Sequence, residues 1–207
     1  MSYLDYRFQD SPQFINTFDE APLWSAAFGL LLFKHLPLIQ NGVAVDLGCG
    51  AGFPLLELAE RLGNQCHVYG IDPWENAITR AKQKVADYGV SNVTLIEASA
   101  AAIPLENNTV DLIVSNLGIN NFENPEVVFH ESFRVLKPGA RLALTTNLNG
   151  HWSEFYRLFE ETIKSFGWND ILPELALHEK HRGDRKSISQ KFEEAGFREV
   201  RFFEEDM

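Results

Sequence analysis

Cysteine is scarce: Cys49 and Cys66 are the two in 207 residues. They are too few for a multi-bridge framework and fit a reducing compartment, the cytoplasm. Positive charge is also in short supply. Lys and Arg number 18 against 29 Asp and Glu, for a formal net charge of −11. A surface that negative repels phosphate backbones, which argues against a nonspecific nucleic-acid binder but not against a small cationic ligand. No apolar run approaches the ~20 residues a spanning helix needs. The most apolar stretch, Ala26 to Phe33, is closed by Lys34 and reads as a packed amphipathic helix. The opening residues, Met1 to Phe8, hold an early acid, Asp5, and no apolar h-region, so they do not read as a secretory signal. The histidines, at 35, 67, 130, 151, 178 and 181, show no metal-ligand spacing, even though His178 and His181 lie three apart on a polar stretch. There is no internal repeat and no low-complexity tract.

What is present is an ordinary globular composition, 45% apolar and 23% charged, in a length suited to one domain. Residues 1–40 read as a helical preface rich in aromatics (Phe14, Phe18, Trp24, Phe28, Phe33). The periodicity then changes to short apolar runs alternating with helical stretches. Strands are expected at 43–47, 67–71, 93–96, 110–115, 141–146 and 198–203, and helices at 55–62, 74–88, 125–136, 152–166 and 187–195. Such alternation means βαβ units: an α/β, doubly wound, mostly parallel sheet flanked by helices, with right-handed crossovers. Ligands in these sheets bind beyond the carboxyl ends of the strands, near the switch point.

The residues after the strands carry the chemistry. The first strand runs into Val45-Asp46-Leu47-Gly48-Cys49-Gly50-Ala51-Gly52. Three glycines at alternate positions let the backbone approach a ligand closely, with a helix N-terminus behind it. The second strand ends in Gly70-Ile71-Asp72-Pro73, and Asp72 follows Gly52 by 20 residues, where a doubly wound fold holds ribose hydroxyls. Asp72 is equally placed to cap the helix from Trp74, with Pro73 at its start. Together the two features indicate a nucleoside cofactor. A nicotinamide site wants G-x-G-x-x-G, but here the third glycine comes one position early and Phe53 stands at the last glycine's place. Asp46 also sits badly beside a pyrophosphate and suits a cofactor bearing an ammonium and a sulfonium.

With these residues the chain resembles the class I S-adenosylmethionine-dependent methyltransferases. V-D-L-G-C-G-A-G is similar to their first motif and G-I-D-P to the acid after strand two. The stretch I-E-A-S-A-A-A-I-P-L-E-N-N-T-V-D-L-I-V-S-N-L-G-I-N-N-F, then F-R-V-L-K-P-G-A-R-L, resembles the small-molecule branch that includes ubiquinone and menaquinone methyltransferases. The resemblance covers about 40–147. It implies S-adenosylmethionine as cofactor, so the chain is expected to be a single domain overall, the preface over 1–40 a helical cap and 41–207 the S-adenosylmethionine-binding part. Gly48, Gly50 and Gly52, with Cys49 between them, would line the methionine portion, and Asp46 would reach its amino group. Asp72 would hold the ribose hydroxyls, with Trp74 flanking the adenine and Pro73, between them, counted with the cofactor-binding residues. Ser99 would meet the adenine amino group, the Ala100 N–H a ring nitrogen, and the Asn116 carbonyl the methionine amino group.

The resemblance has one local departure. This branch usually carries an acid where Ser99 stands, and a hydroxyl accepts without charge assistance, at a cost of ~1 kcal/mol in binding. Glu97, two residues earlier, is a candidate substitute. Asp111, at the far end of strand four, reads as structural, and Lys137-Pro138-Gly139 as a turn. No residue declares itself a general base; His151, with Asn147 and Asn149 beside it, is placed by its position after strand five. Phe14, Phe18 and Trp24 are candidates to cover the cofactor and wall an apolar substrate pocket. The basic run from His178 to Lys186 reads as a solvated loop or a clamp on an acidic substrate. The function expected is methyl transfer to a small-molecule acceptor without a metal; a non-catalytic cofactor binder and a nicotinamide oxidoreductase are the alternatives. The family fold ends in a strand hairpin, and after 198–203 no residues are left for the final, seventh strand. The chain is therefore expected to be a C-terminally truncated piece of a longer protein.

Overall fold

A computed structural model describes residues 10–21, 23–180 and 183–205. In chain order the elements are α1 (Pro12–Glu20), α2 (Leu23–His35), β1 (Val43–Leu47), α3 (Leu55–Leu62), β2 (His67–Asp72), α4 (Glu75–Asp87), β3 (Val93–Glu97), β4 (Val110–Asn116), α5 (Pro125–Val135), β5 (Leu136–Thr145), α6 (Ser153–Ser165), α7 (Leu172–Lys180) and α8 (Arg185–Glu194). The strands form one sheet in the order β3-β2-β1-β4-β5, every neighbour parallel. Their sequences are near-continuous apolar runs because a parallel sheet covered by helices is dry on both faces. Val45, Val68, Leu112 and Val114 are fully buried, and Leu55, Leu58 and Ile78 pack against the sheet.

The chain leaves β1 toward β2 on one side and returns to β4 on the other. The switch point therefore lies between the carboxyl ends of β1 and β4, the place where open α/β sheets bind their ligands. The opposite end is tied shut. Asp111 Oδ2 accepts the Val43 N–H at 2.9 Å and pairs with Lys137 Nζ at 2.8 Å, the structural role expected of it.

The chain divides into two compact units, one running to Thr146 and including Glu205, the other Asn147–Glu204. The first holds the sheet, the second α6, α7 and α8. Two expectations change. β5 begins at Leu136, so Lys137-Pro138-Gly139 lies inside the strand's range; the turn character survives as a register shift, since Val110 faces Leu136 but Leu112 already faces Arg141, and Gly139 has φ +82°. The strand expected at 198–203 is not formed. Glu199 adopts φ +59°, which no strand accommodates, and the segment folds back on α8 instead. The Phe197 N–H bonds the Phe192 carbonyl at 2.9 Å, and Arg185 pairs with Glu204 at 2.6 Å. Among the described residues the sheet therefore ends at β5.

Candidate functional site

The glycine loop and Asp72 form one hydrogen-bonded unit. The Gly48 N–H donates to the Ile71 carbonyl at 2.8 Å, carrying the β1–β2 pairing into the loop. The Gly50 N–H donates to Asp72 Oδ2 at 2.9 Å, and the Trp74 N–H to Oδ1 at 2.8 Å. Asp72 thus shapes the loop and the entrance to α4 at once. Pro73, between them, has no N–H to place. Each carboxylate oxygen keeps a lone pair. Burial raises the Asp72 carboxyl above the usual range, opposed in part by the Trp74 and Gly50 amides. Gly50 has φ +50°, and a Cβ built there would meet nothing within 4 Å: the loop backbone faces open space. Gly48 (φ +74°) has the opposite constraint, since a Cβ there would lie 3.3 Å from the Gly118 Cα. Gly52 turns the chain toward α3 above Leu56 and Ala81.

Asp46, the fourth residue of β1, is completely buried, and neither carboxylate oxygen has a hydrogen-bond partner among the described residues. Its carboxyl is raised well above the usual range. Burial is the main cause, then the charges of Asp72 and Glu57, opposed by the Leu55 backbone N–H, which faces the carboxyl without hydrogen-bond geometry. A buried acid left unpaired is costly and marks a place where a polar ligand is wanted. Cys49 is buried beside it, and burial followed by the charges of Asp46 and Asp72 pushes its thiol up, so it has no thiolate character to use as a nucleophile.

The turn after β3 continues the same edge. The Ala98 N–H donates to the Asp72 carbonyl at 3.2 Å, anchoring the turn to β2. Ser99 is exposed and its hydroxyl accepts the Ala101 N–H at 3.2 Å, while Ala100 is buried. Glu97 is the exposed last residue of β3, in register with Asp72. Beyond β4, the Asn116 side chain bridges two elements: its amide donates to the Ser25 carbonyl of α2 at 3.0 Å and its oxygen accepts from Thr145 Oγ1 at 2.6 Å. That same hydroxyl accepts the Leu117 N–H at 3.1 Å, holding Leu117 at φ +62°. Gly118, which sequence reasoning passed over, is the close-approach residue here. A Cβ on it would fall 2.4 Å from Ser115 Oγ and 2.9 Å from the Leu47 carbonyl. A glycine two residues past a strand that ends in asparagine was the available signal.

The aromatic preface reaches this edge through α1. Phe14 and Phe18 pack on Trp74 with ring centroids 6.1 and 5.9 Å away, and Ile15 is buried against Ala51 and Ala77. The Trp74 indole N–H donates to Asp10 Oδ1 at 2.8 Å, and Asp19 pairs with Arg80 at 2.9 Å and Lys84 at 2.8 Å. Trp24 lies instead with Phe28 on α2, ring centroids 5.4 Å apart. Asn147, Asn149 and His151 belong to the second unit; Asn147 is buried, the Asn149 N–H bonds the Gly183 carbonyl at 2.9 Å and the His151 ring meets Tyr156 at 5.8 Å. His178 packs on Tyr156 at 6.3 Å. His181 and Arg182 lie outside the described residues, as do the opening residues 1–9 read for a leader. Among the described residues, no group of three or more His, Cys, Asp or Glu could hold a metal ion, and no helix is long and apolar enough to cross a membrane.

A parallel sheet with a glycine loop after β1, an acid ending β2 and an orphaned acid inside β1 defines a Rossmann-like α/β protein built around a nucleoside cofactor. A family profile described as a methyltransferase domain matches residues 39–202. The demethylmenaquinone methyltransferase of Listeria monocytogenes is 30% identical over 183 residues, 79% of this chain and 73% of the relative. That of a Geobacillus species is 30% identical over 184 residues, 81% of this chain and 75% of the relative. A SAM-dependent methyltransferase structure from Aquifex aeolicus has the same fold, with a TM-score of 0.71 at 24% identity over 94% of this chain and 92% of that one. The chain belongs to the methyltransferase-domain family and is a class I S-adenosylmethionine-dependent methyltransferase.

Proposed function

We propose that this enzyme transfers the methyl group of S-adenosylmethionine to a small apolar acceptor, demethylmenaquinone or a ring compound like it. We further propose that it works in the cytoplasm and needs neither nucleic acid nor metal. The observation that carries the cofactor site is the buried, unpartnered carboxylate of Asp46 beside the open backbone of Gly50. An ammonium satisfies the first, and a close-lying aliphatic chain uses the second. The acceptor rests on the relatives at 30% identity and on the apolar character of the preface.

In this reading Asp46 and the Asn116 carbonyl hold the methionine ammonium, and Gly48, Cys49, Gly50 and Gly52 line the methionine chain. Asp72 takes the ribose hydroxyls on its remaining lone pairs. Ser99 and Ala100 receive the adenine edge, flanked by Pro73 and Trp74. The cofactor supplies an electrophilic methyl on a sulfonium, already activated for in-line displacement. The protein's task is therefore orientation and exclusion of water, and orientation lowers such barriers by ~7–11 kcal/mol. The test is calorimetry with S-adenosylmethionine, S-adenosylhomocysteine and NAD, followed by an acceptor panel read by S-adenosylhomocysteine release. Micromolar binding of the two sulfur nucleosides is expected. Asp72→Ala should weaken it by about 2 kcal/mol, since charge-assisted bonds to two hydroxyls are lost. Binding of NAD in preference to both, or methylation of none of the apolar rings, would sink the proposal.

A further inference from the structure

The loop between β3 and β4, residues 98–109, is long for a connection without helix or strand, and loops of that length need outside support for their backbone groups. Here the support comes from α5. The Arg134 guanidinium has five N–H donors, and every one is used. Its Nε bonds Glu131 Oε1 at 2.7 Å; one terminal nitrogen bonds the Leu105 carbonyl at 2.9 Å and Asn107 Oδ1 at 2.7 Å; the other bonds the Ile103 carbonyl and Glu131 Oε2, both at 2.8 Å. Glu131 completes the clamp by accepting the Ile103 N–H at 2.9 Å. The Asn108 N–H adds a bond to the Arg134 carbonyl at 3.1 Å. Ile103 is thus gripped at both its N–H and its carbonyl, with its side chain buried. It stands three residues after Ala100 and four after Ser99, and the turn they form has its own short bonds but only one tie to β2, from Ala98 to the Asp72 carbonyl.

We propose that Glu131 and Arg134 are positioning residues that fix the Ser99–Ala100 turn and thereby set the enzyme's selectivity for adenine. The inference rests on the reading of that turn as the adenine seat. The chemistry is geometric. Adenine offers an amino donor and a ring-nitrogen acceptor; hypoxanthine offers a carbonyl acceptor and a ring N–H donor in the same places. A turn held in register by its far end presents the Ser99 oxygen and the Ala100 N–H together and rejects the reversed pattern. A loosened turn accepts either. Lysine at 134 keeps the charge but, with three donors on one nitrogen, cannot reach the five acceptor atoms that the planar fork spans.

The experiment compares S-adenosylhomocysteine with S-inosylhomocysteine by calorimetry, in the wild type, Arg134→Lys, Glu131→Gln and Asn107→Ala. Asn107→Ala removes one clamp bond from an exposed side chain, so it reports even if an α5 variant fails to fold. The wild type is expected to prefer the adenosyl ligand by roughly 100-fold, two mismatched hydrogen bonds' worth. Arg134→Lys should bind the adenosyl ligand about 10-fold more weakly while keeping its affinity for the inosyl ligand, so that the preference falls to about 10-fold; Asn107→Ala should move the same way by less. A purely structural role predicts equal losses for both ligands, and that outcome, or an unchanged preference in all variants, overturns the proposal. A wild type without any preference overturns the adenine seat itself, which separates the two failures.

Discussion

At the scale of single residues, the carboxylates of this protein pull in opposite directions. The Asp46 carboxyl is raised by burial and by the charges of Asp72 and Glu57, so the folded state holds a proton that the unfolded chain has already released. The Asp46 contribution to the stability of the ligand-free protein is then full below the ordinary aspartate range and is lost as pH climbs toward the folded value. Glu131, held low first by the Arg134 hydrogen bonds, has the reverse sign: its contribution is present above the ordinary glutamate range and is lost as pH falls through the folded value. Asp111 behaves like Glu131, because Lys137 and the Val43 N–H overcome the effect of burial. Asp46→Asn should therefore raise the melting temperature of the ligand-free protein near neutral pH, at ~2–4 °C per kcal/mol for a chain of this size, and flatten its decline with pH. The same substitution should weaken S-adenosylhomocysteine binding. Scanning calorimetry from pH 5 to 9, with and without ligand, checks both; a ligand-free protein destabilised by Asp46→Asn would mean the carboxylate is paired after all. That Asp46 matters was legible from its place in the motif. That it is orphaned was not, because partnership depends on residues far away in sequence.

At the scale of elements, the close approach at Gly118 invites a direct test. An alanine there would press its Cβ on Ser115 Oγ and on the immovable Leu47 carbonyl. Gly118→Ala should cost ~1–3 kcal/mol, read as a lower urea midpoint with unchanged slope, and should loosen cofactor binding as β4 shifts. An unaltered midpoint would show that the β4 loop yields freely. The central strands and α3 were readable because a buried parallel strand is an apolar run bounded by glycine, proline or charge, a purely local signal. α7 escaped notice because Pro173 and the exposed Leu177 blur its one-sided pattern. The segment 198–203 carried alternation enough to read as a strand, yet Glu199 turns left-handed and Arg185 draws Glu204 to α8, a choice made by contacts outside the window. The docking of α1 was equally hidden: Asp19 meets Arg80 and Lys84 across more than sixty residues, and only the amphipathic aromatics hinted at it.

At the scale of the whole molecule, the carboxyl ends of β1, β2, β3 and β4 present the candidate cofactor residues on one edge of the sheet, and the amino ends are tied by Asp111 and Lys137. Since no described cluster of acids, histidines or cysteines has the makings of a metal site, methyl transfer should persist in the presence of EDTA. Loss of turnover in chelator that magnesium or zinc restores would contradict this. The Trp74 indole has a further consequence. Trp24, Trp152 and Trp168 are exposed, whereas Trp74 is partly buried against Phe14 and Phe18, which also meet each other, and its N–H bonds to Asp10. Its emission therefore belongs at the blue side of the protein's fluorescence, and a red shift of that component marks the departure of α1. The enzyme carries its own optical gauge of whether the first helix is closed over the β2 end of the sheet.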